Sequence, residues 1–339
     1  MFLTICQQAG RLHNLSSLTG IFSLLICFLV SCTPAQTPDI QPTSTPAILI
    51  QTLPASTRSL PPTSTFTPVL PTLTAKPQPC NPFIVDYCIT DGHFLFQRPI
   101  LPPANTSVDV TCRFASTANG TRDPHRGVEF LNKFGTSVYA AGEGMVVFAG
   151  SDDTPVYSPW RNFYGNLVVI EHTDDLYTLY AHLSEITVRQ GQQVASGEQI
   201  GAVGQTGVAI GSHLHFEVRR GDVQDYSSPQ NPELWLVPNR GEAGHPLGAL
   251  QLSIVDSTGQ FVNRTEYTLE HISGQPQTSN GIYYGITYSP ELLYSPENAG
   301  LNDLSPGTYR LALSYKGHIY ERRVEVESGK LTQVVIVVE

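Results

Sequence analysis

The sequence predicts an all-β protein, and three observations lead to this prediction. Glycine (28), proline (26) and tyrosine (15) are frequent in the 339-residue chain, which indicates many turns and strands. Short runs rich in valine, isoleucine and tyrosine alternate with glycine-containing turns from about residue 122 to the end of the sequence. No run in that region has hydrophobic residues at helical spacing. The length favours two domains with additional segments over a single domain.

The first residues have the features of an export signal. Arg11 precedes a 13-residue apolar run, Leu18 to Val30, which is too short for an ordinary membrane span and typical of a signal-peptide core. The run leads into LVSC, in which small residues before Cys32 resemble the lipobox of bacterial lipoproteins. This resemblance implies that residues 1–32 are a lipoprotein signal peptide, and that acylated Cys32 anchors the exported chain to a membrane of the bacterial cell envelope. An ordinary signal peptide with a chance cysteine is the alternative.

Two segments separate this signal from the first predicted domain. Residues 33–79 are dominated by proline and threonine and have no hydrophobic period, so we expect an extended linker. Residues 80–121 form a lead-in segment of mixed composition that contains Cys80, Cys88 and Cys112. In an exported chain a disulfide is expected among these cysteines, and three pairings are open. The pair Cys80–Cys88 is favoured because the sequence CNPFIVDYC can close a small loop.

Residues 122–244 are predicted to form the first β domain. The run SVYAAGEGMVVFAG has a glycine-rich break between two apolar halves, which favours a hairpin. The runs NLVVIEH and LYTLYAHL flank the polar turn TDD and predict a second hairpin. The run HLHFEVRR is expected to be a strand whose side chains alternate between two faces.

Residues 245–339 are predicted to form a second β domain. Four runs in this region read as strands: LQLSIVD, YRLALSYKG, IYERRVEVES and LTQVVIVVE. Their regular spacing is typical of a β-sandwich. The region from LSPGTYRLALSYKG to LTQVVIVV resembles the prealbumin-like sandwiches that are appended to secreted enzymes. Such a domain either binds glycan or a cell-wall partner, or orients the domain before it.

The charge balance excludes one class of partner. The formal net charge is −10, and the chain contains only four lysines. Because nucleic-acid binding depends on a basic surface that neutralises phosphates, no nucleic-acid partner is expected.

Four of the ten histidines lie in short, distinctive contexts. They are His125 in DPHRGVEF, His182 in YAHL, and His213 and His215 in SHLHF. In a strand, His213 and His215 project from the same face, roughly 6.6 Å apart along the chain. This spacing suits one metal ligand and one neighbouring catalytic group.

A carboxylate can join these histidines only if the chain bends. In a fully extended strand, His125 and Glu129 would be separated by roughly 13 Å, which is too far for a shared metal ion. Gly127 lies between them and permits a bend. Two histidines and a carboxylate with an open fourth position form the usual hydrolytic zinc site.

The motifs around these histidines resemble those of a known family. The sequence HRGVEF…GTSVYAAGEGMVVFAG…YGNLVVIEH…LYTLYAHLSEITVRQGQQVASGEQIGAVGQTGVAIGSHLHFEVRRG spans roughly residues 122–235. It is similar to the lysostaphin-type (LytM-like) zinc metallopeptidases, which cut peptidoglycan. The resemblance implies an antiparallel-sheet domain, a duplicated hybrid motif related to the biotinyl barrel. It also implies one Zn²⁺ ion and hydrolysis of peptide bonds in peptidoglycan during cell-wall remodelling. The aromatic and polar segment Ser151–Asn166 is a candidate wall of the substrate cleft.

The resemblance assigns a role to each site residue. The family pattern is H-x-x-x-D, then a YAHL-type histidine, then H-x-H. His125, Glu129 and His215 match the zinc ligands, and His182 and His213 match two catalytic histidines that do not bind the metal. Which of these two is the base stays open. Glu129 stands where the family has aspartate, so its longer side chain must fold back or its loop must shift. This departure keeps a second interpretation open, a non-catalytic cell-wall-binding activator of another peptidoglycan hydrolase.

Overall fold

The computed structural model describes residues 80–118, 120–272, 281–292 and 296–339, which belong to one compact unit. The predicted signal peptide, the linker and the lipidation candidate Cys32 lie outside the described residues. Within the described part of the chain, no helix is long and apolar enough to cross a membrane. The predicted domain boundary after residue 244 stays a prediction.

Strands dominate the described residues, so the predicted all-β class is confirmed. Helical structure there is confined to two short 3₁₀ helices, Pro232–Leu234 and Pro290–Leu292. The lead-in segment contributes β1 (Cys88–Thr90). Ten strands follow in the middle region: β2 (Val128–Leu131), β3 (Ser137–Tyr139), β4 (Gly144–Ser151), β5 (Asn166–Glu171), β6 (Leu176–Ala181), β7 (Leu183–Ile186), β8 (Gln193–Val194), β9 (Gln199–Val203), β10 (His213–Arg220) and β11 (Pro229–Gln230). The C-terminal region contains seven more: β12 (Gly248–Asp256), β13 (Glu266–His271), β14 (Ile282–Ile286), β15 (Ala299–Leu304), β16 (Gly307–Tyr315), β17 (His318–Val326) and β18 (Leu331–Val338).

The middle region is built from two antiparallel sheets. The larger sheet has the strand order β11-β10-β6-β5-β4-β8, and β2 pairs with the first half of β10. The smaller sheet has the order β3-β9-β7. Strand β10 is buried at seven of its eight positions. One face of β10 enters the main core through Leu214, Phe216 and Val218. Its other face is therefore available for polar groups.

One of the two predicted hairpins is confirmed and the other is wrong. Strands β5 and β6 pair antiparallel across the turn that contains Asp174 and Asp175. Strands β3 and β4 instead belong to different sheets, because β3 pairs with β9 whereas β4 pairs with β5 and β8. Between β3 and β4, the Ala140 amide donates to the Glu198 carbonyl (2.8 Å), and the Ala140 carbonyl accepts from the Gly197 amide (2.9 Å). The glycine-rich break is therefore a crossing between sheets, not a tight turn.

The C-terminal region consists of two four-stranded sheets that share one core. One sheet is antiparallel, with the order β14-β13-β16-β17. The other has the order β1-β18-β12-β15, in which β12 and β18 are parallel. Its edge strand β1 comes from the lead-in segment. The four runs chosen from the sequence correspond to β12, β16, β17 and β18, whereas β13, β14 and β15 were not predicted. The likeness to prealbumin stays a prediction.

A disulfide closes a small loop at the start of the lead-in segment. Cys80 and Cys88 form a disulfide, which is the pairing favoured from the sequence.

Buried polar bonds connect the lead-in segment, the middle region and the C-terminal sheets. Asn231 Nδ2 donates to the Tyr288 hydroxyl (2.7 Å). The Glu233 carboxylate accepts from the Asn302 amide (3.1 Å) and forms an ion pair with Arg113. Apolar side chains from all three parts also share one core cluster. Because unpaired buried polar groups are costly, these bonds fix the loop around Tyr288 against the middle region.

Candidate metal centre

Strand β10 presents a row of polar side chains on the face that does not enter the core. Successive side chains of a strand point to opposite faces, so residues two apart share a face. The row consists of His213, His215, Glu217 and Arg219, all with exposed fractions of 5% or less. Buried ionisable groups require partners, and the neighbouring strands supply them.

Strand β2 brings a carboxylate opposite this row. Glu129 lies directly across from His215 in the antiparallel register between β2 and β10. The chain leaves the extended strand before Val128, so His125 returns to the same point, as the expected bend requires. Gly127 makes this approach possible, because a Cβ atom there would lie 2.4 Å from the Phe216 carbonyl oxygen. The glycine is needed for close contact and not for a positive φ angle.

Three donor atoms converge where β2 pairs with the first half of β10. His125 Nε2 lies 2.9 Å from Glu129 Oε1, and His215 Nδ1 lies 3.0 Å from the same oxygen. The two imidazole nitrogens are 3.2 Å apart. Ligands about 2.0–2.2 Å from a tetrahedral zinc ion stand roughly 3.3–3.5 Å from one another, so small outward shifts would accommodate the ion. The longer side chain of Glu129 therefore reaches the point where the two histidines meet.

The second oxygen of Glu129 provides an independent test of this fit. Glu129 Oε2 lies 3.2 Å from His213 Nε2, but the contact lacks hydrogen-bond geometry. Among the described residues, this buried oxygen has no hydrogen-bond partner. A buried carboxylate oxygen without a donor is costly in a purely structural role and is suited to a cation. Two imidazoles with this carboxylate thus form a donor set that fits zinc.

The electrostatics of the three groups also favour a cation. Burial opposes ionisation of Glu129, but the adjacent His213 and His215 hold the pKa of its carboxyl well below the usual value. Burial likewise disfavours the charged form of His215, yet the Glu129 carboxylate outweighs it and raises the His215 pKa to about 10. A metal ion that binds here would replace the proton on His215.

Both ligand-type histidines are oriented by their second ring nitrogen. His125 Nδ1 donates to the Arg113 carbonyl (3.3 Å), which leaves the Nε2 lone pair at the centre. His215 Nε2 donates to Glu217 Oε1 (3.0 Å), which leaves the Nδ1 lone pair there. Such outer partners fix the tautomer and raise the basicity of a metal-binding histidine.

Glu217 and the residues that hold it were not predicted from the sequence. The Glu217 carboxylate also accepts from the Tyr164 hydroxyl (2.7 Å) and from Arg219 Nε (2.7 Å). Arg219 in turn donates to the Tyr164 hydroxyl (2.8 Å), and its side chain is fully buried. The alternation in HLHFEVRR already places His215, Glu217 and Arg219 on one face, and that signal could have identified them.

His182 and His213 face each other beside the three donors. Their ring centroids are 4.9 Å apart. His182 Nδ1 donates to the Thr206 carbonyl (2.9 Å) and His213 Nδ1 donates to the Gly211 carbonyl (3.0 Å), so both Nε2 atoms are free to exchange a proton. Burial, together with the nearby His213, lowers the pKa of His182 to about 3. His182 also has a φ of 62°, a strained backbone conformation of the kind found at functional sites.

A cleft of about 1200 Å³ is lined by the three donor residues and the two further histidines: His125, Glu129, His215, His182 and His213. Trp160 and Phe163, from the segment proposed as a cleft wall, line it together with Tyr226. These three rings lie against one another. The ring centroid of Trp160 is 5.2 Å from that of Phe163 and 5.6 Å from that of Tyr226. Cys112 Sγ also borders the cleft, 3.8 Å from His125 Nδ1. Cys112, His125 and Glu129 thus lie close together, but the sulfur faces the ring nitrogen of His125 that points away from Glu129, so it is not one of the three converging donors.

Comparison with known proteins matches the middle region to a peptidase family. The profile of Peptidase family M23 matches residues 123–232. The peptidoglycan DD-endopeptidase ShyA of Vibrio cholerae is 41% identical over 95 residues, which are 28% of this chain and 20% of the relative. The lipoprotein YgeR of Escherichia coli is 38% identical over 104 residues, 31% of this chain and 37% of the relative. A solved structure, of a zinc containing peptidase from Vibrio cholerae, is 32% identical and covers 39% of this chain and 40% of that one, with a TM-score of 0.31.

The aligned segments thus span a fifth of ShyA and little more than a third of YgeR. The residues matched by the family profile, 123–232, include the five converging residues. Residues 123–232 therefore form a domain of peptidase family M23, the family that the histidine motifs predict.

Proposed function

We propose that this protein is a zinc-dependent endopeptidase that hydrolyses peptide bonds in peptidoglycan. The observation that carries the proposal is the convergence of two imidazole nitrogens and one carboxylate oxygen within 3.2 Å, at a cleft that two further histidines also border. In this proposal His125 Nε2, Glu129 Oε1 and His215 Nδ1 bind a single zinc ion. Three protein ligands leave a fourth position for water or substrate.

The chain's own residues supply the remaining steps. When bound, zinc lowers the pKa of a water molecule and polarises the scissile carbonyl group. The Nε2 atom of either His182 or His213 accepts the proton of the attacking water. The other histidine donates a hydrogen bond to the charge that develops on the carbonyl oxygen. Both rings are held for these tasks by the backbone carbonyls that accept from their Nδ1 atoms.

The proposed substrate and location rest on the relatives. The name of ShyA describes a peptidoglycan DD-endopeptidase, which supports peptidoglycan as the substrate here. YgeR is named a lipoprotein, which supports lipid anchoring through Cys32 and a place in the bacterial cell envelope. The proline- and threonine-rich residues 33–79 would then separate the anchored end from the catalytic domain.

A second candidate function follows from the ligand at position 129. If the glutamate did not support catalysis, the protein would bind the cell wall and activate another peptidoglycan hydrolase. An activator produces no clearing alone in a zymogram of isolated peptidoglycan but enhances a partner enzyme. The reach of Glu129 Oε1 to both histidines favours the enzyme.

We expect substitutions in the two histidine classes to separate zinc binding from catalysis. His215→Ala should abolish zinc binding and activity together, because it removes a ligand. His182→Ala and His213→Ala should retain zinc while kcat falls by about 100- to 10,000-fold, since each removes a proton-transfer group. Zinc titration and mass analysis of peptidoglycan fragments measure the two properties. Retained hydrolysis in both His182→Ala and His213→Ala would contradict their roles.

Glu217→Gln should weaken zinc binding by about 10- to 100-fold, because the neutral amide orients His215 less well than the carboxylate does. Competition with a zinc chelator measures the affinity. Glu185→Gln is the matched control, since Glu185 is exposed on β7 and does not line the cleft. Equal affinities for the two variants would show that the buried network is not coupled to the metal.

Glu129→Asp should lower kcat/KM by about 100-fold, even though it restores the residue type of the family. The shorter side chain would withdraw the carboxylate by roughly one ångström from the point where His125 and His215 meet, and misplacement on that scale is costly in catalysis. The measurement is the rate of release of peptidoglycan fragments. Increased activity in this variant would mark the natural site as detuned and favour the activator.

A further inference from the structure

The catalytic cleft has one wall that the M23 domain does not supply. Six lining residues come from β13, β14 and the loops before β13 and after β14: Arg264, Glu266, Ile286, Thr287, Ser289 and Glu291. They border the same cleft as His125, Glu129 and the histidines of β10. A peptide chain extending from the centre would therefore run along this wall.

The wall is held firmly against the middle region. The Arg264 amide donates to the Thr287 carbonyl (3.2 Å), and Arg264 Nη2 donates to Ser289 Oγ (3.2 Å). Between these two partners, Tyr288 is fixed by the buried bond from Asn231 and packs edge-on against Phe114, with ring centroids 5.1 Å apart. The wall thus keeps one position relative to the catalytic histidines.

Charge and shape define what the wall can bind. Arg264 Nη2 lies 3.5 Å from Glu291 Oε1, so these opposite charges offset each other. Glu266 is exposed and has no ion-pair partner among the described residues. Ile286 lies directly opposite Glu266 in the β13–β14 register and is 41% exposed. The wall therefore offers an apolar contact beside an unpaired carboxylate.

We propose that this wall is part of the substrate site and that Glu266 binds an ammonium group of the peptide, away from the scissile bond. The alkyl stem next to that ammonium would pack on Ile286, as the stems of amine-bearing side chains do. The net charge of −10 of the chain also favours a cationic group over an anionic one. This inference rests on the proposed function and makes Glu266 a specificity-determining residue outside the M23 domain.

The test compares two peptides on the full-length chain. One is a cross-linked peptidoglycan peptide with free amino groups, and the other is the same peptide after acetylation of those groups. Binding is measured by calorimetry on the zinc-loaded His213→Ala protein, which does not consume the peptide. Two further proteins combine His213→Ala with either Glu266→Gln or Glu321→Gln. Glu321 is the matched control, because it is an exposed glutamate on β17 at the far edge of the same sheet. Hydrolysis of both peptides by the wild-type chain is followed separately.

Loss of one exposed ion pair should weaken binding by about two- to fivefold. We expect Glu266→Gln to weaken binding of the free-amine peptide by this factor and to leave binding of the acetylated peptide unchanged. Glu321→Gln should change the binding of neither peptide. The inference would be overturned if the free-amine and acetylated peptides bound equally well whether or not Glu266→Gln was present. It would also be overturned if neither peptide bound. Hydrolysis by the wild-type chain, together with binding that does not depend on Glu266, leaves the proposed function standing and removes only this inference. Glu266-dependent binding without hydrolysis supports the wall and removes the enzyme.

Discussion

The candidate centre depends on the pairing of β2 with β10. In this antiparallel register Glu129 lies opposite His215, and the chain before β2 carries His125 back to the same point. A shift of one residue would turn the Glu129 carboxylate to the other face of the sheet and separate the three donors. Gly127 permits this close approach, because any side chain there would collide with the Phe216 carbonyl and the His215 ring.

Strand β10 carries both the proposed metal-binding group and its support. His215 donates to Glu217, and Glu217 is held in turn by Arg219 and Tyr164. Burying a carboxylate and a guanidinium carries a large desolvation cost, and a well-packed apolar face would be at least as stable. The buried network is therefore best explained as a support that orients the imidazole of His215.

Local patterns allowed part of this organisation to be predicted from the sequence. Strand periodicity placed His213 and His215 on one face, and the β5–β6 hairpin followed from its polar turn. The same periodicity places Glu217 on that face as well, but its contact with Tyr164 joins residues that are distant in the sequence. The hairpin predicted between β3 and β4 is wrong, because a glycine-rich crossing between sheets has the same composition as a tight turn. The wall around Arg264 and Glu266 was beyond prediction, since it depends on how distant segments pack against the cleft.

X-ray absorption spectroscopy of the zinc-loaded protein is the most direct test of the central claim, that His125, Glu129 and His215 together hold one catalytic ion. The geometry predicts one zinc per chain with two imidazole nitrogens and carboxylate or water oxygens at about 2.0–2.2 Å, and no sulfur. A sulfur ligand at about 2.3 Å, or a single imidazole in the coordination shell, would contradict the account.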